Sequence, residues 1–224
     1  MSCETFNSHD EKIKHVVFDL DGVLIDSINV MEHAWKNVVD KYDLGIPFSS
    51  YVEQIGLPFE VVLSNLDIEP KLFKGIESEY SRVSIERQDK ISVYEGITEL
   101  LKRLNLNGIE VSIVTSKSQE RTLYIIKEYF NDIEFNSIVS PESVKSGRGK
   151  PFPDELLLAF VKSGIGPENT IYIGDTEIDR MVAKKANCRF LFAEWGYGTS
   201  IVNNDYSFKT VPALLHYIFQ KDSL

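Results

Sequence analysis

Hydrophobic positions change their period along this chain, and the changes divide it. Val16-Val17-Phe18 and Leu20 make residues 14–20 a short apolar run that ends on Asp21-Gly22. Such a run, closed by an acidic residue and glycine, predicts a buried parallel strand followed by a sharp turn. Beyond it the period becomes helical. Ile28, Met31, Trp35, Val38, Val39 and Tyr42 recur on one face, with Ser27 as the expected N-cap. Gly45 and Pro47 break that helix, and Ser49 or Ser50 is expected to cap a short one running to Ile55. Residues 59–66 and 70–88 continue helical, the latter through Leu72, Phe73, Ile76, Tyr80 and Val83. No strand pattern occurs between 28 and 88.

From about residue 96 helices and strands alternate. The pattern predicts helices over 97–106, 119–130, 154–163 and 179–186, and strands over 109–114, 135–139, 170–173 and 189–193. An edge strand is expected near Tyr206–Phe208, and a last helix over 212–219 capped by Thr210. This alternation predicts an α/β fold, a doubly wound parallel sheet with helices on both faces and right-handed crossovers. The helical block at 26–92 follows the first strand, which predicts an α-helical cap domain inserted into a core formed by 1–25 and 93–224. No internal repeat interrupts the pattern.

Composition narrows the function. The chain has 224 residues, 43% hydrophobic and 26% charged, ordinary for a globular protein with a sizeable core. A net charge of −10 argues against nucleic-acid or acidic-membrane partners, so an anionic ligand needs local neutralisation. Cys3 and Cys188 are too few and too far apart for a disulfide framework or a cysteine metal site. The polar leader MSCETFNSHDEK lacks the apolar segment of a signal peptide, and no run reaches the ~18 apolar residues of a membrane span. A cytoplasmic enzyme or binding protein is the expectation.

Reactive groups collect where strands are expected to end. Asp19 and Asp21 are two apart on an extended chain and can face one ligand. Thr115, Ser116 and Lys117 follow the second strand, Lys150 lies in a loop, and Asp175 and Asp179 follow the fourth. Ligands of open α/β sheets bind beyond the carboxyl ends of strands. Like charges ~4 Å apart repel by about 4 kcal/mol at an effective dielectric near 20. One lysine does not balance four carboxylates. A hard divalent cation does, and Mg²⁺ in turn favours a phosphate ligand.

FDLDGVLIDS at 18–27, read with IVTSK at 113–117, GKPFPDELL at 149–157 and YIGDTEIDRMVAKKA at 172–186, resembles the four motifs of the haloacid dehalogenase-like phosphohydrolases in order and spacing. The resemblance spans about residues 14–220. It implies a Rossmann-like catalytic core and an Mg²⁺-dependent phosphatase acting on a small phosphorylated metabolite through an aspartyl-phosphate. Asp19 is then the nucleophile. Asp21 is the general acid and base. Asp19, the backbone carbonyl of Asp21, and Asp175 hold the metal. Thr115, with Ser116, and Lys150 receive the phosphoryl group, and Asp179 orients Lys150 or a metal-bound water. Phosphate-monoester hydrolysis is among the slowest uncatalysed reactions, which is why so many charged groups are needed.

Within that family the acid at Asp21 favours phosphoryl transfer over carbon–halogen cleavage. The cap position, IGLPFEVVL at 55–63 and the EWGYG loop resemble the phosphoglycolate phosphatase-like group. A β-phosphoglucomutase-like enzyme, which returns the phosphoryl group to sugar, is the alternative. A non-catalytic phospho-acceptor or binding protein is a third reading, which the full acid set disfavours. Gln54, Arg82 and Arg87 are candidate substrate contacts whose ordinary role is a solvated helix face. Glu177 reads as a surface residue, Arg148 in its loop is assigned no role, Lys117 reads as either a substrate contact or a solvated lysine, and Trp195 as either a wall of the site or packing. Asp26 reads as a turn residue. His15, His33 and His216 lack metal-ligand spacing.

Overall fold

The computed structural model describes residues 12–198 and 206–220. Cys3 and nearly all of the polar leader lie outside the described residues. In chain order the elements are β1 (His15–Phe18), β2 (Ile25–Asp26), α1 (Ile28–Tyr42), α2 (Phe48–Val52), α3 (Phe59–Asn65), α4 (Phe73–Glu86), β3 (Ser92–Val93), α5 (Ile97–Leu106), β4 (Glu110–Val114), α6 (Gln119–Tyr129), β5 (Ser137–Val139), α7 (Asp154–Ser163), β6 (Thr170–Gly174), α8 (Glu177–Lys185), β7 (Arg189–Ala193), β8 (Ser207–Phe208) and α9 (Val211–Gln220).

Six strands form one sheet in the order β5-β4-β1-β6-β7-β8, and every pair in it is parallel. The expected doubly wound α/β sheet is therefore present. β1 is the point where the winding reverses: the chain adds β4 and β5 on one side of it and β6 to β8 on the other. Register aligns Phe18 with Ile113 of β4 and Ile173 of β6, so the residues after these three strands meet at one edge. That is the crevice such topologies leave for ligands.

The strands are apolar on both faces because helices cover both. Val16 and Phe18 of β1 join Ile171 and Ile173 of β6 in one core, with Leu100, Leu104 of α5 and Leu214, Ile218 of α9. Val17 and Tyr172 point the other way, onto Leu156 and Ala159 of α7 and Val182 and Ala183 of α8. Burying one such side chain stabilises by about 1.5–3 kcal/mol. Helices α1 to α4 build a cluster of their own from Trp35, Val38, Tyr51, Leu63, Ile76 and Tyr80.

Two local expectations need correction, and one pairing had no counterpart in the sequence pattern. Ser27 occupies the N-cap position of α1, but its side chain does not cap the helix, and Asp26 Oδ1 accepts the Ile28 N–H at 3.1 Å instead. Neither Ser49 nor Ser50 caps α2; both lie inside it, because Pro47, already extended, provides the N-terminal residue. The two-residue strands β2 and β3, which pair antiparallel where the chain leaves and re-enters the core, carry no readable period. By contrast, Thr210 does accept the Ala213 N–H at 3.3 Å at the start of α9.

Candidate active site

Asp19 is the first residue beyond β1, and its N–H donates to the Ile173 carbonyl, so pairing with β6 continues through it. Gly22 then turns at φ +87°, and a side chain there would strike the Asp175 carboxylate. Asp19, Asp175 and Asp179 are buried and present carboxylate oxygens all within 4.8 Å of one another. Lys150, 1% exposed, places Nζ 2.7 Å from Asp19 Oδ1 and 2.7 Å from Asp179 Oδ1.

The three acids differ in what holds them. Asp179 is saturated. Its Oδ1 accepts from Lys150 and from Tyr172 Oη at 2.7 Å, and its Oδ2 accepts from the N–H and hydroxyl of Thr176, in a capping box that starts α8. Burial alone would raise its pKa, but Lys150 and these donors hold it below the usual carboxylate range. Asp175 is not saturated. Oδ2 accepts the Tyr197 N–H at 2.6 Å, whereas Oδ1 is buried without a hydrogen-bond partner. Burial, then the charges of Asp179 and Asp19, push its pKa well up. Asp19 is pushed up to about 7, chiefly by burial, against the pull of Lys150. Lys150 stays charged: burial opposes this, but Asp179 and Asp19 outweigh it.

These residues fit a hard divalent cation. All donors are oxygens, one buried carboxylate oxygen lacks any partner, and three carboxylates face one lysine, a local charge that a +2 ion balances. Because Asp179 has no lone pair to spare, Asp19 and Asp175 are the acids free to bind it.

Asp21 lies at the floor of the same site. Its Oδ1 accepts from Ser27 Oγ at 2.5 Å and lies 3.1 Å from Lys117 Nζ. Lys117 is buried and lines the cavity, so it is not a solvated lysine; burial, then Arg121, bring its pKa down to about 8. Thr115 is buried at the end of β4 and its hydroxyl accepts the Lys117 N–H at 3.2 Å. Ser116 lines the same cavity, but its hydroxyl is engaged: it donates to the Gly56 carbonyl at 2.7 Å, tying the site to the segment before α3.

A cavity of about 560 Å³ opens over these groups, lined by Asp19, Asp21, Thr115, Lys117 and Lys150 on the sheet side and by α2, α3 and α4 residues opposite. Gln54 lines it; Arg82 instead pairs with Glu79 and Glu86, and Arg87 is exposed. Glu177 pairs with Arg180, and Arg148 with Asp154. Trp195 packs against the core and donates to the Val23 carbonyl at 3.1 Å. His15 is a core residue, hydrogen-bonded to Ser112 Oγ at 2.8 Å.

Four participants carry no motif that marks them singly. Tyr172 and Tyr197 each hold one of the acids, Glu155 stands buried on the first turn of α7 with both oxygens unpartnered and its pKa raised to about 7 by burial, and Arg121 lines the cavity. For Tyr197 the only sequence signal is its place in EWGYG, and Arg121 carries none.

The sequence profile of the haloacid dehalogenase-like hydrolases matches residues 16–193. Among curated proteins, pyrophosphatase PpaX of Bacillus velezensis is 29% identical over 219 residues, covering 92% of this chain and 97% of its own length. Phosphoglycolate phosphatase 1 of Pseudomonas aeruginosa is 26% identical over 191 residues, covering 81% of this chain and 70% of its own. Among solved structures, a candidate phosphoglycolate phosphatase of Lactobacillus plantarum superposes with a TM-score of 0.82 at 25% identity, over 92% of this chain and 99% of that one.

Proposed function

This chain belongs to the haloacid dehalogenase-like hydrolase family, and from that premise we propose that it is an Mg²⁺-dependent phosphatase of a small phosphorylated metabolite, similar to the phosphoglycolate phosphatases. The phosphatase names of its relatives support the reaction class. The observation that carries the reading is Asp19: a buried carboxylate at the cavity floor, held by Lys150 at 2.7 Å and within 4.8 Å of an acid with an unpartnered oxygen.

Asp19 attacks phosphorus in line and becomes an aspartyl-phosphate, dividing one slow displacement into two. Lys150 neutralises Asp19 and the equatorial phosphoryl oxygens, and Asp179, fixed by Tyr172 and Thr176, positions the lysine. Thr115 offers its hydroxyl to the phosphoryl group. Asp21 gives its proton to the leaving oxygen and later takes one from the hydrolytic water. Ser27 and Lys117 tie down one of its oxygens, which leaves the other to work. Asp19, Asp175 and the backbone carbonyl of Asp21 are the groups to hold Mg²⁺. When bound, the ion offsets carboxylate repulsion and stabilises charge on the phosphoryl oxygens. Residues 26–92 act as the cap that closes the cavity against bulk water.

Release of phosphate from an aryl phosphate, with and without Mg²⁺, tests this directly. Activity is expected only with the ion, and Asp19→Asn is expected to abolish it. Full activity in that variant rules the nucleophile out. Exchange between sugar phosphates without phosphate release supports the mutase instead.

A further inference from the structure

Phosphoryl transfer at Asp19 gives Glu155 no task. This residue lies on the first turn of α7, 0% exposed, and neither of its oxygens has a hydrogen-bond partner. Burying a polar group in this way destabilises a fold, and more so when the group is ionised. A leucine would fill the same helix position at no such cost, as Leu156 and Ala159 do beside it. The acid therefore calls for a reason other than stability.

Its position supplies one. A Cβ built on Gly149 would meet Glu155 Oε1 at 3.2 Å and Pro58 Cγ, at the start of α3, at 3.1 Å. Gly149 is thus held between a core helix and the helical block, and the next residue is Lys150. That lysine reaches Asp19 Oδ1 and Asp179 Oδ1 at 2.7 Å each. A flexible four-carbon stem aims its ammonium only if its main chain is fixed. Yet residues 144–153 form no helix or strand. The Phe152 N–H holds the Gly149 carbonyl at 3.1 Å, and Lys185 Nζ holds the Pro151 carbonyl at 2.7 Å. Both bonds act on carbonyls. Glu155 acts on the amide side: the charge and the backbone N–H of Lys150 favour its ionised form, while Asp19 and Asp179 oppose it. It stands in the field of the catalytic cluster without touching the cavity.

We propose that Glu155 is a positioning residue: fixed on α7, its carboxyl draws the Gly149–Lys150 peptide against the helix and so aims Lys150 at Asp19 and at the phosphoryl group in transfer. The inference rests on the phosphatase reading and adds a residue to it. The fold is less stable for this acid, and the lysine is better held.

Stability and activity then move in opposite directions on substitution. Glu155→Leu keeps the volume and removes the unpartnered oxygens, and it is expected to raise Tm by roughly 2–10 °C. The same variant is expected to lower kcat for nitrophenyl phosphate by about 10- to 100-fold, the effect of a slightly misplaced group, with little change in KM. Glu155→Gln keeps the shape and an oxygen for the Lys150 N–H, and is expected to recover most of that kcat. A purely structural carboxyl would lower Tm and kcat together, and a bystander would leave kcat alone. Either result overturns the proposal, as does a Gln variant no faster than the Leu variant.

Calorimetric binding of orthovanadate and of inorganic phosphate, each with Mg²⁺, gives a reading independent of turnover. Vanadate takes the five-coordinate shape of the transition state and phosphate does not, so Glu155→Leu is expected to weaken vanadate binding by about 10- to 100-fold and phosphate binding little. That pattern, in a protein whose wild type hydrolyses no phosphate ester, supports the positioning role and removes the phosphatase reading. Hydrolysis by the wild type, with vanadate binding unchanged in Glu155→Leu, does the reverse.

Discussion

The backbone N–H of Tyr197 donates to Oδ2 of Asp175 at 2.6 Å, across 22 residues of chain. That bond turns the carboxylate so that Oδ1 is buried with no partner. The Tyr197 hydroxyl in turn accepts the Ser27 N–H at 2.6 Å, beside the first strand's turn. One residue thus joins the second acid of the site to the segment that carries the first.

Asp175→Asn removes one charge from the buried cluster while keeping an oxygen for Tyr197. Without a divalent cation this variant is expected to be more stable than the wild type, because like-charge repulsion and the cost of burying an ion both fall. Conversely, Mg²⁺ is expected to raise the melting temperature of the wild type and to do so much less for the variant. Thermal unfolding in Mg²⁺ and in EDTA measures both. Equal Mg²⁺ stabilisation of the two proteins would falsify the ligand assignment.

Lys150→Met leaves Asp19 and Asp179 buried without a counter-charge. Breaking such a pair on one side costs about 3–5 kcal/mol at neutral pH. In the wild type Asp179 titrates below its ordinary value, so its contribution is present above that value and lost as pH falls through the folded pKa. In the variant Asp19, already raised in the wild type, goes higher, and Asp179 loses the cation that held it down, so stability falls more steeply as pH rises. Urea unfolding at pH 5 and pH 8 is expected to show the larger deficit at pH 8.

His15 is fully buried against Ser112, and burial lowers its pKa from 6.5 to about 4. Between those values the unfolded chain binds a proton that the folded protein refuses. Stability therefore falls as pH drops from 6.5 to about 4, by up to about 3 kcal/mol at ~1.4 kcal/mol per tenfold step in proton affinity. His15→Gln should flatten that part of the stability–pH curve. A curve of unchanged slope would show that His15 is not its source.

Asp21→Asn is expected to slow hydrolysis of alkyl phosphates by about 10²–10⁴-fold, the usual worth of a general acid. Nitrophenyl phosphate, whose leaving group needs little protonation, should lose far less. Rates across a series of leaving groups measure the difference; a uniform loss would point to a structural role for Asp21 instead.

The sheet was legible because its signal is local. Val16-Val17-Phe18 and the strand at 170–173 are continuous apolar runs, buried on both faces, and their acidic ends mark the carboxyl edge. Helices α1 and α4 were legible from the period of Trp35, Val38, Ile76 and Tyr80. The strands β2 and β3 were not, since two residues cannot display a period and their pairing joins positions 66 and 68 residues apart. The hydroxyl of Ser116 reads in sequence as a phosphate donor, but it meets the Gly56 carbonyl only because the helical block packs over the sheet.

Residue order alone determined which chemistry is present: carboxylates at 19, 21, 175 and 179 and a hydroxyl at 115, each at or just beyond the expected end of an element, and an amine at 150 in a loop. Periodicity and turn chemistry act over a few residues, so they survive in the sequence. Tertiary structure decided how those groups divide the work. It saturated Asp179, left one oxygen of Asp175 without a partner, buried Lys117 against Asp21, and set Arg121 on the face of Tyr80. Those outcomes depend on burial and on partners tens to more than a hundred residues away, because desolvation and hydrogen-bond satisfaction arise only when distant segments pack.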